Sequence, residues 1–119
     1  MVSIENVRDA LYKSWSLESS SKWMRKNPAI GQCGVTALVV NDLFGGEIVK
    51  TMCTGDWHFY NKLNGVRYDF TEEQFSEAIK YDDIPSSREE AFLDTNLQQY
   101  NALRKKVYQQ LSFLNENLL

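Results

Sequence analysis

The chain of 119 residues has one histidine, two cysteines and two prolines, and these small numbers limit its chemistry. Cys33 and Cys53 are too few for a disulfide scaffold, so both are expected to be free thiols in a reducing cytosol. Any reaction that needs an imidazole must use His58, because the chain has no other histidine. Internal repeats and linkers are absent too, and the length predicts a single domain over residues 1–119.

An excess of positive charge and a long apolar run are also lacking. The formal net charge is -3 at pH 7, whereas phosphate-binding domains are normally basic, so nucleic acid is not an expected partner. No apolar run approaches the roughly 20 residues that cross a bilayer, so no membrane is expected as a partner. The N-terminal segment MVSIEN lacks the basic and then apolar pattern of a signal peptide. The sequence therefore predicts a cytoplasmic location.

Several segments have apolar patterns that are typical of helices. Residues 4–15 place apolar side chains at helical spacing and predict an amphipathic first helix. The serines at 19–21 predict the cap of a short second helix that holds Trp23 and Met24. From Leu93 onward the apolar positions recur every three or four residues and predict a long helix: Leu97, Tyr100, Leu103, Val107, Leu111, Leu114 and Leu118. This helix is expected to cover the core. The second alternative is that it forms the interface of a homodimer, so the protein is predicted to be a monomer or a homodimer.

The segment GQCGVTALVVNDLFGG, residues 31–46, is apolar on nearly every side. Such a helix is buried, and glycine just past its end is the usual stop signal. Cys33 is therefore predicted to lie in the first turn of a buried helix. Three segments with strand patterns follow, at 47–53, 57–63 and 66–70. The order of helices, then strands, then helices predicts an α+β fold in which the Cys33 helix packs on a short antiparallel sheet.

Two capping patterns predict further helices after the strands. Thr71 and Gln74 are spaced as in a capping box, which predicts a helix that runs to about Lys80. Ser87 and Glu90 have the same spacing and predict another helical segment.

The Asn-Gly dipeptide at 64–65 predicts a hairpin with a two-residue turn. Leu63 then lies opposite Val66, and the pairing continues outward from there. Because side chains alternate between the faces of a strand, His58 and Asp69 become diagonal neighbours on one face. A carboxylate in that position can accept a hydrogen bond from the imidazole and fix its tautomer.

Cys33, His58 and Asp69 are the residue types of a thiol-based catalytic triad. A nucleophilic thiol needs a lowered pKa, a base and donors for the developing oxyanion, and the first turn of a helix helps to lower the pKa through the helix dipole. His58 is the only imidazole that can act as the base. The Cys33 backbone N–H and the Gln32 side chain are the nearest candidate oxyanion donors, and Asn27 is a weaker candidate.

Each of these residues also has a simpler interpretation. A lone cysteine in an apolar helix is usually a core residue, and Cys53 near a strand end is expected to be one. A histidine and an aspartate on a hairpin can be a surface pair that contributes little. Cys33, Cys53, His58 and Asp69 could bind a metal by residue type, but a close pair such as C-x-x-C is absent. Neither a metal nor another cofactor is therefore expected.

The segments GQCGVTALVVNDLFGG and WHFYNKLNGVRYDFTEEQF resemble the YunG-like family of small bacterial proteins over residues 31–75. The same order is similar to papain-like or transglutaminase-like cysteine peptidases, distantly those of the bacteriocin-processing, double-glycine type. There, a Cys-Gly opens an apolar helix, and a His-Phe strand precedes a strand that carries Asp. The resemblance implies that Cys33 is the nucleophile, His58 the base and Asp69 the residue that orients it. Asn27 stands where the peptidase pattern has a glutamine.

The sequence thus predicts a papain-like α+β domain with thiol-dependent chemistry on an amide or acyl bond. Its substrate would be a peptide or a small acyl or amide compound, and the reaction would be that of a peptidase, amidase, deamidase or acyltransferase. Trp57, beside His58 in the sequence, is a candidate substrate-binding residue. One alternative is a non-catalytic binding module of the same fold, and a weaker one is a thiol-based redox or metal sensor.

Overall fold

A computed structural model describes residues 2–118 of the protein, with side chains up to residue 113. The elements follow in the order α1 (Ile4–Ser14), α2 (Cys33–Phe44), β1 (Glu47–Cys53), β2 (Asp56–Leu63), β3 (Val66–Tyr68), β4 (Ile84–Pro85), α3 (Arg88–Phe92) and α4 (Leu97–Leu118), with a 3₁₀ turn at Glu72–Gln74. The predicted α+β class is confirmed. None of the helices in this part of the chain is long and apolar enough to span a membrane.

The helices α1 and α4 pack against each other and against α2. Ser3 caps α1 by accepting a hydrogen bond from the Asn6 backbone N–H at 3.0 Å. Apolar residues three or four positions apart on α1 and α4 are buried in one cluster: Val7, Ala10, Leu11, Leu103, Val107 and Leu111. The long C-terminal helix therefore covers the core, as predicted. Leu114 and Leu118, at the end of its predicted apolar pattern, lie outside the residues whose side chains are described.

The helix α2 is the buried centre of the molecule and begins at Cys33. Residues 33–40 are all buried, because one side of the helix meets α1 and α4 and the other side meets the sheet. Gly45 follows the helix with a φ of 71°, a conformation that glycine adopts without the steric cost of a side chain. The predicted stop signal is thus confirmed.

The sheet has four antiparallel strands in the order β3-β2-β1-β4. Leu63 pairs with Val66, which confirms the register predicted from the Asn-Gly turn. Asn64 and Gly65 both have positive φ, at 52° and 79°, as a type I′ turn requires. The strand β3 ends at Tyr68, earlier than the predicted residue 70, and the chain then leaves the sheet.

The side chains of β2 alternate between two layers. Phe59 packs with residues of α2, and the Asn61 Nδ2 group donates to the Ala37 backbone oxygen at 3.0 Å. The helix α2 therefore covers this face. His58 and Tyr60 stack on the opposite face, with their ring centroids 5.7 Å apart.

The short helix predicted around Trp23 is wrong. The part of the chain between α1 and α2 forms turns and one isolated bridge between Met24 and Asn27. Serine hydroxyls at positions 16, 19 and 20 accept hydrogen bonds from neighbouring backbone N–H groups. Such local bonds compete with helix formation, and the serines stabilise turns here instead of capping a helix.

The helix predicted from Thr71 to Lys80 is also wrong, because only a 3₁₀ turn forms there. The Thr71 hydroxyl donates to Asp69 Oδ1 at 3.3 Å instead of capping a helix. The Gln74 side chain accepts the Gly31 backbone N–H at 3.3 Å. Both side chains of the expected capping box are therefore engaged in other contacts, and the segment beyond them is irregular.

The capping prediction for the next segment is confirmed. The Ser87 hydroxyl accepts the Glu90 backbone N–H at 3.1 Å and begins α3. The strand β4 was not predicted, since two residues are too few to show an alternating pattern. It pairs Ile84 with Lys50 at the edge of the sheet.

Candidate functional site

His58 and Asp69 form a buried pair where β2 and the chain after β3 diverge. The His58 Nε2 atom lies 2.6 Å from Asp69 Oδ2. Their side chains are only 1% and 2% exposed. The hairpin register predicts this contact, although Asp69 lies one residue beyond the end of β3.

Three further hydrogen bonds hold the Asp69 carboxylate. The Thr71 backbone N–H and hydroxyl donate to Oδ1 at 3.1 and 3.3 Å. The Tyr81 hydroxyl donates to Oδ2 at 2.8 Å. Burial, followed by the hydrogen bond to Asp69, raises the pKa of Tyr81. This hydroxyl therefore keeps its proton at neutral pH, and the carboxylate can hold the His58 ring in one orientation.

Aromatic packing also restricts the His58 ring. Phe75 meets it edge-on, with the ring centroids 4.9 Å apart. Since the Asp69 carboxylate can only accept from Nε2–H, the neutral ring has its lone pair on Nδ1. Within the described part of the chain, Nδ1 is buried and has no hydrogen-bond partner. In this tautomer, Nδ1 is the ring nitrogen that can accept a proton.

Cys33 is the first residue of α2, and its thiol is held by a carboxylate from the other end of the chain. The Cys33 Sγ atom lies 3.4 Å from Asp94 Oδ2, which also accepts the Gly34 backbone N–H at 3.0 Å. Burial and the charge of Asp94 raise the pKa of Cys33, while a hydrogen bond with the Phe59 backbone lowers it. The net shift of the Cys33 pKa is upward, opposite to the lowering expected from its position at the start of a helix.

One cavity of about 600 Å³ is bordered by both Cys33 and His58. The helix α2 covers one face of β2 and the His58 ring lies on the other, so the two residues border the cavity from opposite faces of this strand. The pairing of β2 with β3 extends only from Leu63 to Asn61, so the Phe59 backbone, which lowers the pKa of the Cys33 thiol, has no partner on β3. Trp57 borders the same cavity and is 41% exposed. Its position is compatible with the predicted contact with a substrate.

Gln32 and Asn27, the side chains predicted as oxyanion donors, do not border this cavity. Gln32 is fully buried, and its Nε2 points back to the Ser16 backbone oxygen at 3.5 Å. The Asn27 Nδ2 group donates to the Gln74 backbone oxygen at 3.2 Å. Both amides therefore stabilise the turns before α2. Proximity to Cys33 in the sequence did not place them beside its thiol.

Two side chains at the cavity are not marked by any sequence pattern: Asp94, between α3 and α4, and Gln74. The spacing of Gln74 from Thr71 is that of a capping residue, so the sequence indicated a local contact and not a tertiary one. For Asp94, the sequence contains one indirect indication, the glycine at position 34. A Cβ atom at Gly34 would lie 2.5 Å from Asp94 Oδ2. The glycine after Cys33 therefore permits the close approach of this carboxylate.

Metal binding receives no geometric support from the residues that the structure describes. Among them, no group of three or more His, Cys, Asp or Glu side chains is placed to hold a metal ion. Cys53 is partly exposed and borders the same cavity as Cys33.

The fold and the site define a small α+β domain with a cysteine at the start of its central helix and a buried His–Asp pair at the same cavity. The family model described as YunG protein matches residues 3–112, so the chain belongs to the YunG family. It is 56% identical over 113 residues to the uncharacterized protein YunG of Bacillus subtilis (strain 168). The aligned residues cover 95% of this chain and 98% of that protein. The resemblance of residues 31–75 to the YunG-like family is thus confirmed. No solved structure matches the chain.

Proposed function

We propose that the protein is a cysteine-dependent hydrolase or acyltransferase that acts on an amide or acyl bond, with a papain-like or transglutaminase-like arrangement. The main support is the cavity bordered by Cys33 and by His58, whose ring is paired with the buried Asp69 carboxylate. One nitrogen of the buried imidazole contacts a carboxylate, and the other has no partner within the described chain. Such an imidazole is suited to remove a proton from a thiol.

In the proposed reaction, His58 Nδ1 takes the proton of the Cys33 thiol, and the thiolate attacks the carbonyl carbon of the substrate. The tetrahedral intermediate collapses, and the leaving amine or alcohol takes the proton from His58. A thioester remains on Cys33. Water or another nucleophile then attacks it, gives its proton to His58, and restores the thiol as the acyl product leaves. Asp69 stays a carboxylate throughout and orients the ring.

Asp94 must release the thiol before this reaction begins. Its carboxylate accepts a hydrogen bond from the Cys33 thiol, which competes with proton transfer to His58. Asp94 is an exposed residue on the connection between α3 and α4, and its Oδ2 atom is shared between the thiol and the Gly34 N–H. We expect a substrate that enters the cavity to displace this carboxylate from Cys33.

The proposal is tested with p-nitrophenyl acetate in a Cys53→Ser background, where Cys33 is the only thiol. We expect one equivalent of p-nitrophenolate to be released rapidly and mass spectrometry to locate the acetyl group on Cys33. His58→Ala is expected to slow this acylation by at least about a hundredfold, the usual contribution of a general base. An unchanged rate in His58→Ala would refute the triad.

A second candidate function is a non-catalytic binding module of the same fold. The observation in its favour is the raised pKa of the buried Cys33 thiol, which makes the resting protein a poor nucleophile. The same experiment separates the two functions, since a binding module would show no acylation of Cys33 that depends on His58.

A further inference from the structure

Gln74 has a side-chain amide that is firmly held through its oxygen only. Its Oε1 accepts the Gly31 backbone N–H at 3.3 Å. Its backbone oxygen accepts the Asn27 Nδ2–H at 3.2 Å. Within the described residues, its Nε2 atom is buried and has no hydrogen-bond partner. Because Oε1 is occupied by an N–H donor, the orientation of the amide is defined, and Nε2–H is left without an acceptor among the described residues.

The surroundings of Gln74 connect it to both proposed reacting groups. Gln74 borders the same cavity as Cys33 and His58. Its contact residue Gly31 lies two positions before Cys33, and the following residue, Phe75, packs on the His58 ring. The Gln74 side chain therefore contacts the segment before the thiol, and the neighbouring residue Phe75 contacts the imidazole.

We propose that Gln74 Nε2–H is an oxyanion donor of this site, an inference that rests on the proposed function. As the Cys33 sulfur bonds to the carbonyl carbon, the π electrons of the carbonyl move to its oxygen. Gln74 Nε2–H donates to that oxygen and binds it more strongly as the negative charge develops, with no proton transferred. The Cys33 backbone N–H, which has no partner within the helix because it lies in the first turn, is the second donor.

The proposed side-chain oxyanion donor therefore lies in the segment after Asp69, whereas the sequence predicted it in the segment before Cys33. Gln32 turns away from the cavity toward Ser16, and Asn27 acts only indirectly, as a positioning residue that holds the backbone of Gln74. The proposed donor also restricts the substrate class. The donor suits compounds whose reacting atom is a carbonyl carbon, because attack on that carbon places negative charge on the carbonyl oxygen.

The test compares two reagents on Cys33 in the Cys53→Ser background. p-Nitrophenyl acetate reacts through an oxyanion, whereas iodoacetamide reacts by displacement at a saturated carbon and forms none. We expect Gln74→Ala to slow acylation about a hundredfold, as the loss of one oxyanion donor typically does, and to change the alkylation rate less than about twofold. Gln74→Glu keeps the oxygen that accepts from Gly31 and removes the amide donor. Its negative charge slows both reactions through the pKa of Cys33, so at pH 8 we expect acylation to slow about a hundredfold more than alkylation.

Gln99→Ala is the matched control, because Gln99 borders the same cavity but accepts through Oε1 from the Thr95 hydroxyl at 2.8 Å. It is expected to change neither rate. Equal losses with both reagents in Gln74→Ala and Gln74→Glu would mean a structural role and overturn the inference, as would unchanged acylation. If His58→Ala slows acylation and both Gln74 variants do not, only the donor role fails. If His58→Ala has no effect, the proposed function itself fails.

Discussion

Among single residues, Cys33 experiences opposing effects on its pKa. Burial and the Asp94 carboxylate raise the pKa of this thiol, and the Phe59 backbone lowers it less. The native protein therefore keeps the thiol proton at a pH where the unfolded chain, with an ordinary value near ~8.5, loses it. A raised native pKa contributes stability at every pH below the pKa of the thiol in the unfolded chain. This contribution is lost progressively as the pH rises above that unfolded pKa.

Chemical denaturation at pH 7.5 and pH 9.5 tests this linkage. We expect the free energy of unfolding to fall between the two values by up to about 1.4 kcal/mol per pH unit above the unfolded pKa. The Cys33→Ala variant lacks the thiol, so its free energy of unfolding is expected to fall less between the two pH values. The other titrating groups are the same in both proteins, and their effects cancel in the comparison. An equal fall in both proteins would show that the thiol titrates normally in the native state.

Asp94→Asn tests the charge effect on Cys33 directly. The substitution removes the negative charge and keeps an oxygen that can accept the Gly34 N–H. The pKa of Cys33 is expected to fall, since a like charge at this distance typically shifts a pKa by about one unit or more. Alkylation by iodoacetamide at pH 7.5 should then be about tenfold faster. Asp56→Asn, at another acid that borders the cavity, is the control and should leave the rate unchanged.

At the scale of elements, the irregular segment after the 3₁₀ turn covers the face of β2 that carries His58. Tyr81 in this segment packs edge-on against Tyr60, with the ring centroids 4.9 Å apart. Its hydroxyl donates to Asp69 at 2.8 Å. The segment therefore excludes water from the His–Asp pair and holds the carboxylate in place, a function that a regular helix with an occupied capping box would not serve.

Tyr81→Phe removes this hydroxyl and keeps the ring. We expect the free energy of unfolding to fall by about 1 kcal/mol, the usual worth of one hydrogen bond, and acylation of Cys33 to slow because the His58 orientation is less restricted. Thermal unfolding and the p-nitrophenyl acetate rate measure the two effects. Tyr108→Phe is the control, since Tyr108 lies on α4 away from the cavity. If Tyr81→Phe behaves like this control, the contact with Asp69 is unimportant.

For the whole molecule, three apolar positions of α4 are already packed within the chain, whereas Leu97 and Phe113 of the same helix are exposed. Leu103, Val107 and Leu111 are buried in the same cluster as residues of α1 and α2. A homodimer through this face of α4 would have to expose that core. We therefore expect a monomer, and light scattering at micromolar concentration should give a mass near 13.8 kDa. A particle of twice that mass would support the homodimer alternative.

Local patterns accounted for much of the architecture. The Asn-Gly turn sets the register of β2 and β3, because both turn residues adopt positive φ and only one pairing fits that geometry. The apolar run from Cys33 ends at Gly45 for an equally local reason. The failures at Trp23 and after Thr71 have one cause: the capping side chains found other hydrogen-bond partners in the folded molecule.

What the sequence by itself determined is therefore the position of Cys33 at the start of a buried helix and the contact between His58 and Asp69. Both follow from backbone rules that act within a helix or between two hairpin strands. Only the tertiary structure decided that Cys33 and His58 border one cavity, that Asp94 holds the thiol, and that Gln74 lies beside them. These contacts join residues far apart in the chain, and their geometry depends on how all the elements pack, which no local pattern encodes.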